Sequence, residues 1–230
     1  MRGTHARECA ALASLWASQR RAPPPSLRLA HRILLRRAAQ AAASAPPACC
    51  DAPELIDKLV AHRSEAPQEA LLSAAQMATL LSSYAGTRRV ADPEATEAAQ
   101  EGPPEPWRLD VDVSAATALL LALSCNAHAV CDAELRPLGR GVYSVAACAN
   151  HSCSPTAALT FRGLRAQLRA LAQLRPGDEV TLAYVDVCAP AAERRAELRR
   201  GYFFDCSCNR CAAALAQGGS DDDRALVRHP

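Results

Sequence analysis

Three cysteines stand close together near the end of the sequence, at Cys206, Cys208 and Cys211. Thiolate is a soft ligand, and the spacing Cys-x-Cys-x2-Cys lets three sulfur atoms reach one tetrahedral zinc ion. A closed site needs a fourth ligand, for which Cys153 is the stronger candidate and Cys148 the competitor. The alternative is a group of buried thiols without metal. A zinc ion with four thiolates has no open position, so its role would be structural.

Polar and aromatic residues accompany these cysteines. Asn150 and His151 come shortly before the first candidate ligand, and Tyr202 and Phe204 come shortly before the other three. Tyr184 follows a short apolar segment between them. Such a concentration is unusual in a chain with 4% aromatic residues, and it could line one binding pocket. The structural alternatives are a hydrogen-bonded turn for the Asn-His pair and aromatic packing around the metal loop.

The composition limits the class of protein. The chain has 230 residues, a net charge of +2 and 11 cysteines. A charge so close to zero gives no reason to expect direct binding to nucleic acid. We find no apolar run long enough for a membrane span and no secretory signal, so we expect no membrane contact and reduced thiols. Reduced cysteines that cluster and are odd in number favour metal binding over a disulfide framework.

The elements that must position these residues fall into two halves. In the first half, apolar residues at helical spacing predict helices over residues 26–43, 52–62, 67–84 and 114–124. The last of these is apolar nearly all round and should therefore be buried. Residues 92–106 are rich in Glu, Pro, Ala and Gly, which predicts a surface loop.

The second half has short segments broken by Gly and Pro, a pattern typical of strands and hairpins. The predicted strands cover residues 127–131, 141–145, 159–161, 166–170 and 180–184, with a turn over residues 137–141. Helices followed by strands predict a fold of the α+β class.

Three motifs in the second half resemble one known family. They are Asn150-His151-Ser152-Cys153-x-Pro155, then Arg175-Pro-Gly-Asp-Glu-Val-Thr-Leu-Ala-Tyr184, then Glu193-Arg-Arg-x2-Leu198-Arg-x2-Tyr202-x-Phe204-x-Cys206-x-Cys208-x2-Cys211. Their order and spacing are similar to those of the SMYD proteins, which are SET- and MYND-domain protein lysine methyltransferases. The resemblance implies a β-rich SET-domain core, with a helical insert before it and a zinc-bound post-SET segment after it.

The resemblance also implies a role for each matched residue. It implies that S-adenosylmethionine is bound by Asn126, Ala147, Asn150, His151, Tyr202 and Phe204. It implies a methyl-transfer centre at Tyr184 and a lysine channel lined by Tyr202. It implies a structural zinc ion held by Cys153, Cys206, Cys208 and Cys211. Methyl transfer requires a neutral amine in line with the methyl group, so positioning should dominate the catalysis.

His5 and Cys9 have the His-x3-Cys spacing with which a MYND zinc domain ends. Taken alone, the pair is best explained by chance, because two ligands cannot complete a structural zinc site. Beside the resemblance, we expect the two residues to be remnant ligands of a MYND domain and the chain to be truncated at its N-terminus. The expected domains are a MYND remnant (1–15), the helical insert (16–125), the core SET domain (126–187), the post-SET zinc segment (188–215) and a flexible tail (216–230).

Two functions of different classes follow from these expectations. The favoured one is a SET-domain protein lysine N-methyltransferase, which transfers a methyl group from S-adenosylmethionine to a lysine side chain of a histone or non-histone protein. The alternative is a truncated, catalytically inactive SET-like zinc-binding module that acts in protein interaction. The expected partner is a protein substrate with a target lysine. We expect a monomer located in the cytoplasm, the nucleus or both.

Overall fold

The computed structural model of the chain describes residues 8–9, 11–13, 15–17, 20, 22–41, 54–86 and 109–216. His5, the predicted loop over residues 92–106 and the predicted tail beyond residue 216 lie outside the described residues. The chain divides into two compact units, with the boundary between Ser124 and Cys125. No helix in the described ranges is both long enough and apolar enough to cross a membrane.

The described part of the first unit is helical. Its elements are α1 (Pro25–Ala41), α2 (Glu54–Asp57), α3 (Gln68–Gly86) and α4 (Val113–Asn126), which ends just beyond the boundary. Helices α1 and α3 are in contact, and the rings of His31 and Tyr84 meet edge to face with centroids 4.6 Å apart. Both of these side chains are fully buried, so the helix interface contains polar as well as apolar groups.

Glu8 is a fully buried residue of the first unit. Its carboxylate accepts hydrogen bonds from Nε of Arg28 at 2.9 Å and from Nε of Arg32 at 2.7 Å. Burial raises the pKa of Glu8, but the two guanidinium groups outweigh it, and the pKa lies below the ordinary value of 4.5. The carboxylate is therefore charged at neutral pH and ties this residue to α1.

The predicted helices agree with the structure at α1, α3 and α4. The start of α4 is fixed by Asp112, whose carboxylate accepts hydrogen bonds from the N–H groups of the next turn at 3.0 and 3.2 Å. The prediction over residues 52–62 is wrong after Asp57, where α2 ends. There the N–H of Leu59 donates to the oxygen of Ile56, and this tighter turn cannot continue an α-helix.

The second unit contains short strands in three two-stranded ladders. Two ladders are antiparallel, and they join β1 (Ala127–Cys131) to β2 (Pro137–Val142) and β4 (Ala157–Arg162) to β5 (Arg165–Ala170). The third is parallel and joins β3 (Asn150–His151) to β6 (Thr181–Leu182). The described helices of this unit are α5 (Ser144–Ala147), α6 (Ala191–Tyr202) and α7 (Asn209–Ala216). The mixed content confirms the predicted α+β class.

The predicted turn over residues 137–141 is wrong, because these residues belong to β2. The turn lies earlier in the chain, where the carboxylate of Asp132 accepts hydrogen bonds from the N–H groups of Glu134 at 3.1 Å and Arg136 at 2.8 Å. A side chain that bonds to the following backbone in this way closes a turn without glycine. The predicted strand over residues 141–145 is likewise wrong beyond Val142, since α5 follows.

The parallel pair β3–β6 positions the residues around it. His151 lies opposite Leu182 in the register of the two strands. The predicted strand over residues 180–184 is shorter than expected, because β6 contains two residues. The sequence pattern predicted Tyr184 as the last residue of this strand. In the structure Tyr184 lies two residues beyond the end of β6. In a strand, successive side chains point to opposite faces of the sheet. Because Tyr184 lies outside β6, the direction of its side chain is not fixed by this rule.

Candidate functional site

The sulfur atoms of Cys153, Cys206, Cys208 and Cys211 all lie within 4.8 Å of one another. Sγ of Cys153 is 3.5 Å from Sγ of Cys211 and 4.0 Å from Sγ of Cys206. A tetrahedral zinc ion with Zn–S bonds of about 2.3 Å holds its sulfur ligands about 3.8 Å apart. The donor atoms and their spacing therefore fit a structural zinc ion. All but Cys208, which is half-buried, are buried.

Separate parts of the second unit bring these cysteines together. Cys153 follows β3, Cys206 and Cys208 lie between α6 and α7, and Cys211 lies within α7. Nη1 of Arg210 donates to the carbonyl oxygen of Cys153 at 3.1 Å and to a second backbone carbonyl at 2.7 Å. These two hydrogen bonds connect the backbone at Cys153 to α7, which carries Arg210, without the need for a metal ion.

Cys148, the competing ligand, lies apart from the cysteine cluster. It is exposed, and its thiol donates a hydrogen bond to the carbonyl oxygen of Ser144 at 3.2 Å. Cys9 is an exposed residue of the first unit, and its expected companion His5 lies outside the described residues. The structure thus groups Cys153 with the three C-terminal cysteines.

The thiols of the cysteine cluster differ in acidity. Burial raises the pKa of Cys206 to about 11, and burial also raises the pKa of Cys153. At Cys208 burial again raises the pKa, but hydrogen bonds with the backbone at Cys211 and Cys153 outweigh it and lower the pKa to about 7. The pKa of Cys208 is therefore shifted in the opposite direction from those of Cys206 and Cys153.

His151 connects the cysteine cluster to Tyr184. Its Nδ1 accepts a hydrogen bond from the backbone N–H of Tyr184 at 3.1 Å, and its Nε2 lies 3.3 Å from Sγ of Cys153. This pattern assigns the proton to Nε2, which donates towards the sulfur. Burial, followed by the positive charge of Arg194, lowers the pKa of His151 to about 4. The imidazole is therefore neutral at physiological pH.

Aromatic rings pack beside this histidine. The ring of Tyr184 is 4.8 Å from that of Tyr202 and 5.3 Å from that of His151, and the ring of Phe204 is 6.1 Å from His151. The hydroxyl of Tyr184 donates to the carbonyl oxygen of Ala149 at 2.6 Å, and that of Tyr202 donates to the carbonyl oxygen of Tyr184 at 3.3 Å. Burial raises the pKa of both tyrosines, so both phenols are neutral.

The end of α6 determines where two of these rings lie. Phe203 has a left-handed backbone, with φ 62° and ψ 30°, which ends the helix directly after Tyr202. Asp205 then pairs with Arg195 at 3.1 Å and Arg199 at 2.8 Å, both on α6. These contacts fold the following segment back against the helix. As a result Tyr202 and Phe204 enter the same group of residues as the cysteine cluster.

The remaining predicted donor-binding residues lie at the ends of short elements. Asn150 is exposed in β3, and its Nδ2 donates to Oε1 of Glu179 at 2.7 Å. Asn126 is the last residue of α4, and Ala147 is the last residue of α5. Both are half-buried. The hydrogen bonds and ring contacts therefore join Tyr184, His151 and the neighbouring aromatic rings into one site, while the roles of Asn126 and Ala147 stay predictions.

Two contacts of the site were not anticipated from the sequence. Arg194 is fully buried, and its Nε donates to Sγ of Cys153 at 3.3 Å. The carbonyl oxygen of Ala149 receives the hydroxyl of Tyr184. Arg194 stands in the Glu-Arg-Arg motif, but that motif does not show which arginine points inwards. Backbone acceptors such as Ala149 have no signal in the sequence.

No family model matches the chain. It is 32% identical to the histone-lysine N-methyltransferase ASHR1 of Arabidopsis thaliana over 208 residues, which are 90% of this chain and 39% of that protein. It is 35% identical to the N-lysine methyltransferase SMYD2-B of Danio rerio over 160 residues, which are 68% of this chain and 36% of that protein. The chain is related to the SMYD lysine methyltransferases. The resemblance carried by the three motifs is thereby confirmed.

A mammalian relative of the SMYD type is also matched over only part of its length. The chain is 36% identical to the N-lysine methyltransferase SMYD2 of Homo sapiens over 109 residues, which are 47% of this chain and 24% of that protein. The chain therefore spans well under half the length of the relatives it matches.

Proposed function

We propose that the chain carries the catalytic site of a SET-domain protein lysine N-methyltransferase, which transfers a methyl group from S-adenosylmethionine to a lysine side chain. The observation that carries this proposal is the contact of two neutral tyrosines, Tyr184 and Tyr202, beside His151 in a relative of lysine methyltransferases. The three relatives compared are all named as methyltransferases, so a non-catalytic interaction module is not favoured.

Tyr184 is assigned to the reacting amine. Because its hydroxyl donates to Ala149, its oxygen lone pairs can accept an N–H group of the substrate lysine and orient the amine. A neutral phenol does not form an ion pair with a protonated amine, which suits a reaction that requires the free amine. The ring of Tyr202, 4.8 Å away, forms an aromatic wall that excludes water from the approach.

His151, Phe204 and the backbone near Ala147 are assigned to the methyl donor. When bound, S-adenosylmethionine supplies a methyl group on a cationic sulfonium, from which an amine can accept it. The half-buried rings of His151 and Phe204 fit this group, because aromatic faces attract a cation and remain accessible to a ligand. Asn126 and Asn150 are assigned to hydrogen bonds with the polar parts of the donor, and Tyr202 contacts both donor and substrate.

The cysteine cluster is assigned to a structural zinc ion. With four thiolate ligands the ion would have no open position, so it would stabilise the segment that carries Tyr202 and Phe204 and take no part in the reaction. The packing of both aromatic residues against the buried cysteines supports this role. Loss of the metal should therefore loosen one wall of the proposed donor pocket.

The proposed domain assignment follows the motifs. Residues 16–125 form the helical insert, residues 126–187 the core SET domain and residues 188–215 the post-SET segment. Residues 1–15 are assigned to a segment related to a MYND domain. The proposed partner is a histone or non-histone protein with a target lysine. The proposed location is the cytoplasm, the nucleus or both. That the protein is a monomer, and that it contacts neither nucleic acid nor membrane, stay predictions.

Titration calorimetry of the purified 230-residue chain with S-adenosylmethionine tests the enzyme proposal. We expect one donor molecule to bind per chain and substitution of His151 by alanine to weaken that binding. A wild-type chain that is folded but produces no binding heat would refute the proposal. Elemental analysis for zinc tests the metal centre separately, with one ion expected per chain.

A further inference from the structure

The largest fully buried side chain among the described residues is that of Arg194, in the first turn of α6. A buried guanidinium group costs free energy unless hydrogen bonds and negative charge compensate it. Nη1 of Arg194 donates to the carbonyl oxygen of Ala189 at 2.5 Å, and Nε donates to Sγ of Cys153 at 3.3 Å. The arginine thus faces a cysteine that belongs to the proposed metal centre.

Cys153 receives N–H groups from two sides. Nε2 of His151 and Nε of Arg194 each lie 3.3 Å from its sulfur. A neutral thiol is a weak hydrogen-bond acceptor, whereas a thiolate accepts such bonds well. Two N–H donors directed at one buried sulfur therefore suit a cysteine that serves as a metal ligand, because cysteine binds zinc as the thiolate. The neighbouring sulfur atom of Cys211, at 3.5 Å, is close to the separation of about 3.8 Å expected for two sulfur ligands of one zinc ion.

Four thiolates around one zinc ion leave a net negative charge, because the anionic sulfurs outweigh the divalent cation. We propose that Arg194 is a positioning residue for this centre: its Nε–H group holds the Cys153 thiolate in ligand position, and its positive charge offsets part of the excess negative charge. This inference rests on the structural zinc site of the proposed function. It adds that an arginine of α6, which is not itself a ligand, controls how tightly the metal is held.

Two substitutions separate the charge of Arg194 from its hydrogen bond. Arg194→Met removes both and keeps an unbranched side chain. Outer-shell partners of metal ligands typically contribute about 10- to 100-fold to affinity, so this variant should bind zinc weaker by that factor. Arg194→Lys keeps a positive charge but places a methylene group where arginine has Nε, so Cys153 loses its donor. Its zinc affinity should lie between those of the wild type and Arg194→Met.

The zinc affinity of the full chain can be measured by competition with a chromogenic chelator. A second readout is the absorption of the cobalt-loaded chain, in which thiolate-to-metal charge transfer reports on the sulfur lone pairs. Hydrogen bonds stabilise these lone pairs, so both Arg194 variants should move the band to longer wavelength. A purely structural role of Arg194 would not move it. The matched control is Arg200→Met, because Arg200 is exposed on the same helix.

The proposal is supported if wild type and Arg200→Met bind zinc alike while the Arg194 variants bind it more weakly and show the shifted band. A folded Arg194→Met chain with wild-type affinity and an unshifted band overturns it. If Arg194→Met does not fold, Arg194→Lys decides, and an unchanged affinity and band in that variant overturn the proposal. A folded wild-type chain that binds no zinc would refute the proposed zinc site itself. Equally tight zinc binding by the wild type and every variant would refute only the role of Arg194.

Discussion

Replacing Tyr184 with phenylalanine removes one hydroxyl group and leaves the aromatic ring in place. That hydroxyl donates to Ala149 at 2.6 Å, and the ring packs against Tyr202 and His151. If the hydroxyl orients the substrate amine, Tyr184→Phe should slow methyl transfer by about 100- to 1000-fold, the usual cost of removing one preorganised polar group from an active site. Zinc content should stay the same, because the ring contacts are kept.

Tyr143 offers a matched control in the same unit. Its hydroxyl also donates to a backbone carbonyl, that of Leu164 at 2.9 Å, and its ring packs 5.5 Å from Phe161. Each substitution by phenylalanine removes one neutral hydrogen bond and should cost about 1 kcal/mol of stability. In a chain of this size that loss lowers Tm by about 2–4 °C. The two variants should therefore melt alike and differ in methyl transfer.

The assay follows labelled methyl groups from S-adenosylmethionine to core histones under single-turnover conditions. Calorimetric melting and elemental analysis for zinc are measured on the same preparations. Equal loss of transfer in Tyr184→Phe and Tyr143→Phe would refute the reasoning, because it would trace the effect to stability. Loss of zinc from Tyr184→Phe would also refute it, since the hydroxyl would then support the metal centre.

Three further predictions concern the cysteine cluster and the core. Cys153→Ser should abolish stoichiometric zinc binding by elemental analysis, and the exposed Cys148→Ser should not; zinc retained by Cys153→Ser would mean that the fourth ligand lies elsewhere. Leu198→Ala, at a fully buried position beside the cluster, should cost about 2–5 kcal/mol in urea unfolding, whereas Leu215→Ala, 58% exposed, should change stability by less than about 0.5 kcal/mol. The lowered pKa of Glu8 stabilises the fold above the ordinary carboxyl value of 4.5, and that stability is lost as the pH falls through the folded-state pKa. Glu8→Gln should lower the free energy of unfolding by about 2 kcal/mol at neutral pH and remove the loss of stability that protonation of Glu8 causes in acid. If the variant and the wild type lose stability equally as the pH falls, the charged state of Glu8 is not the cause.

His151 gives the proposed metal centre a direct connection to the proposed catalytic residue. The imidazole spans Sγ of Cys153 and the backbone N–H of Tyr184 with one nitrogen each. A shift of the sulfur would therefore move the ring and, through it, the backbone that carries Tyr184. This connection explains why a metal without an open coordination position would still affect the geometry of the pocket.

The misplaced turn of the β1–β2 hairpin has a physical cause. Pro137, Gly139 and Gly141 have low strand propensity, yet they pair with β1 because register with a neighbouring strand outweighs local preference. The turn moved to Asp132, whose side chain bonds to the following backbone. The Gly and Pro residues of the sequence therefore indicate that a hairpin is present, but they do not show where its turn lies.

The sequence by itself determined the features that are local. Helical periodicity predicted α1, α3 and α4 to within two residues of their described ends, because one buried face repeats along each helix. The spacing of Cys206, Cys208 and Cys211 predicted that their sulfurs could meet, since three positions within six residues cannot lie far apart. The motifs also predicted the family, and the comparisons confirmed it.

Only the tertiary structure decided which distant groups meet. Cys153 joins Cys211 across 58 positions of sequence, and Arg194 reaches Cys153 across 41. Cys148, only five residues before Cys153, turns instead to the carbonyl of Ser144 in α5. No periodicity encodes such contacts, because they depend on where β3, α6 and α7 pack. The ligand candidates could be read from spacing, but the arginine that faces them could be found only in the folded chain.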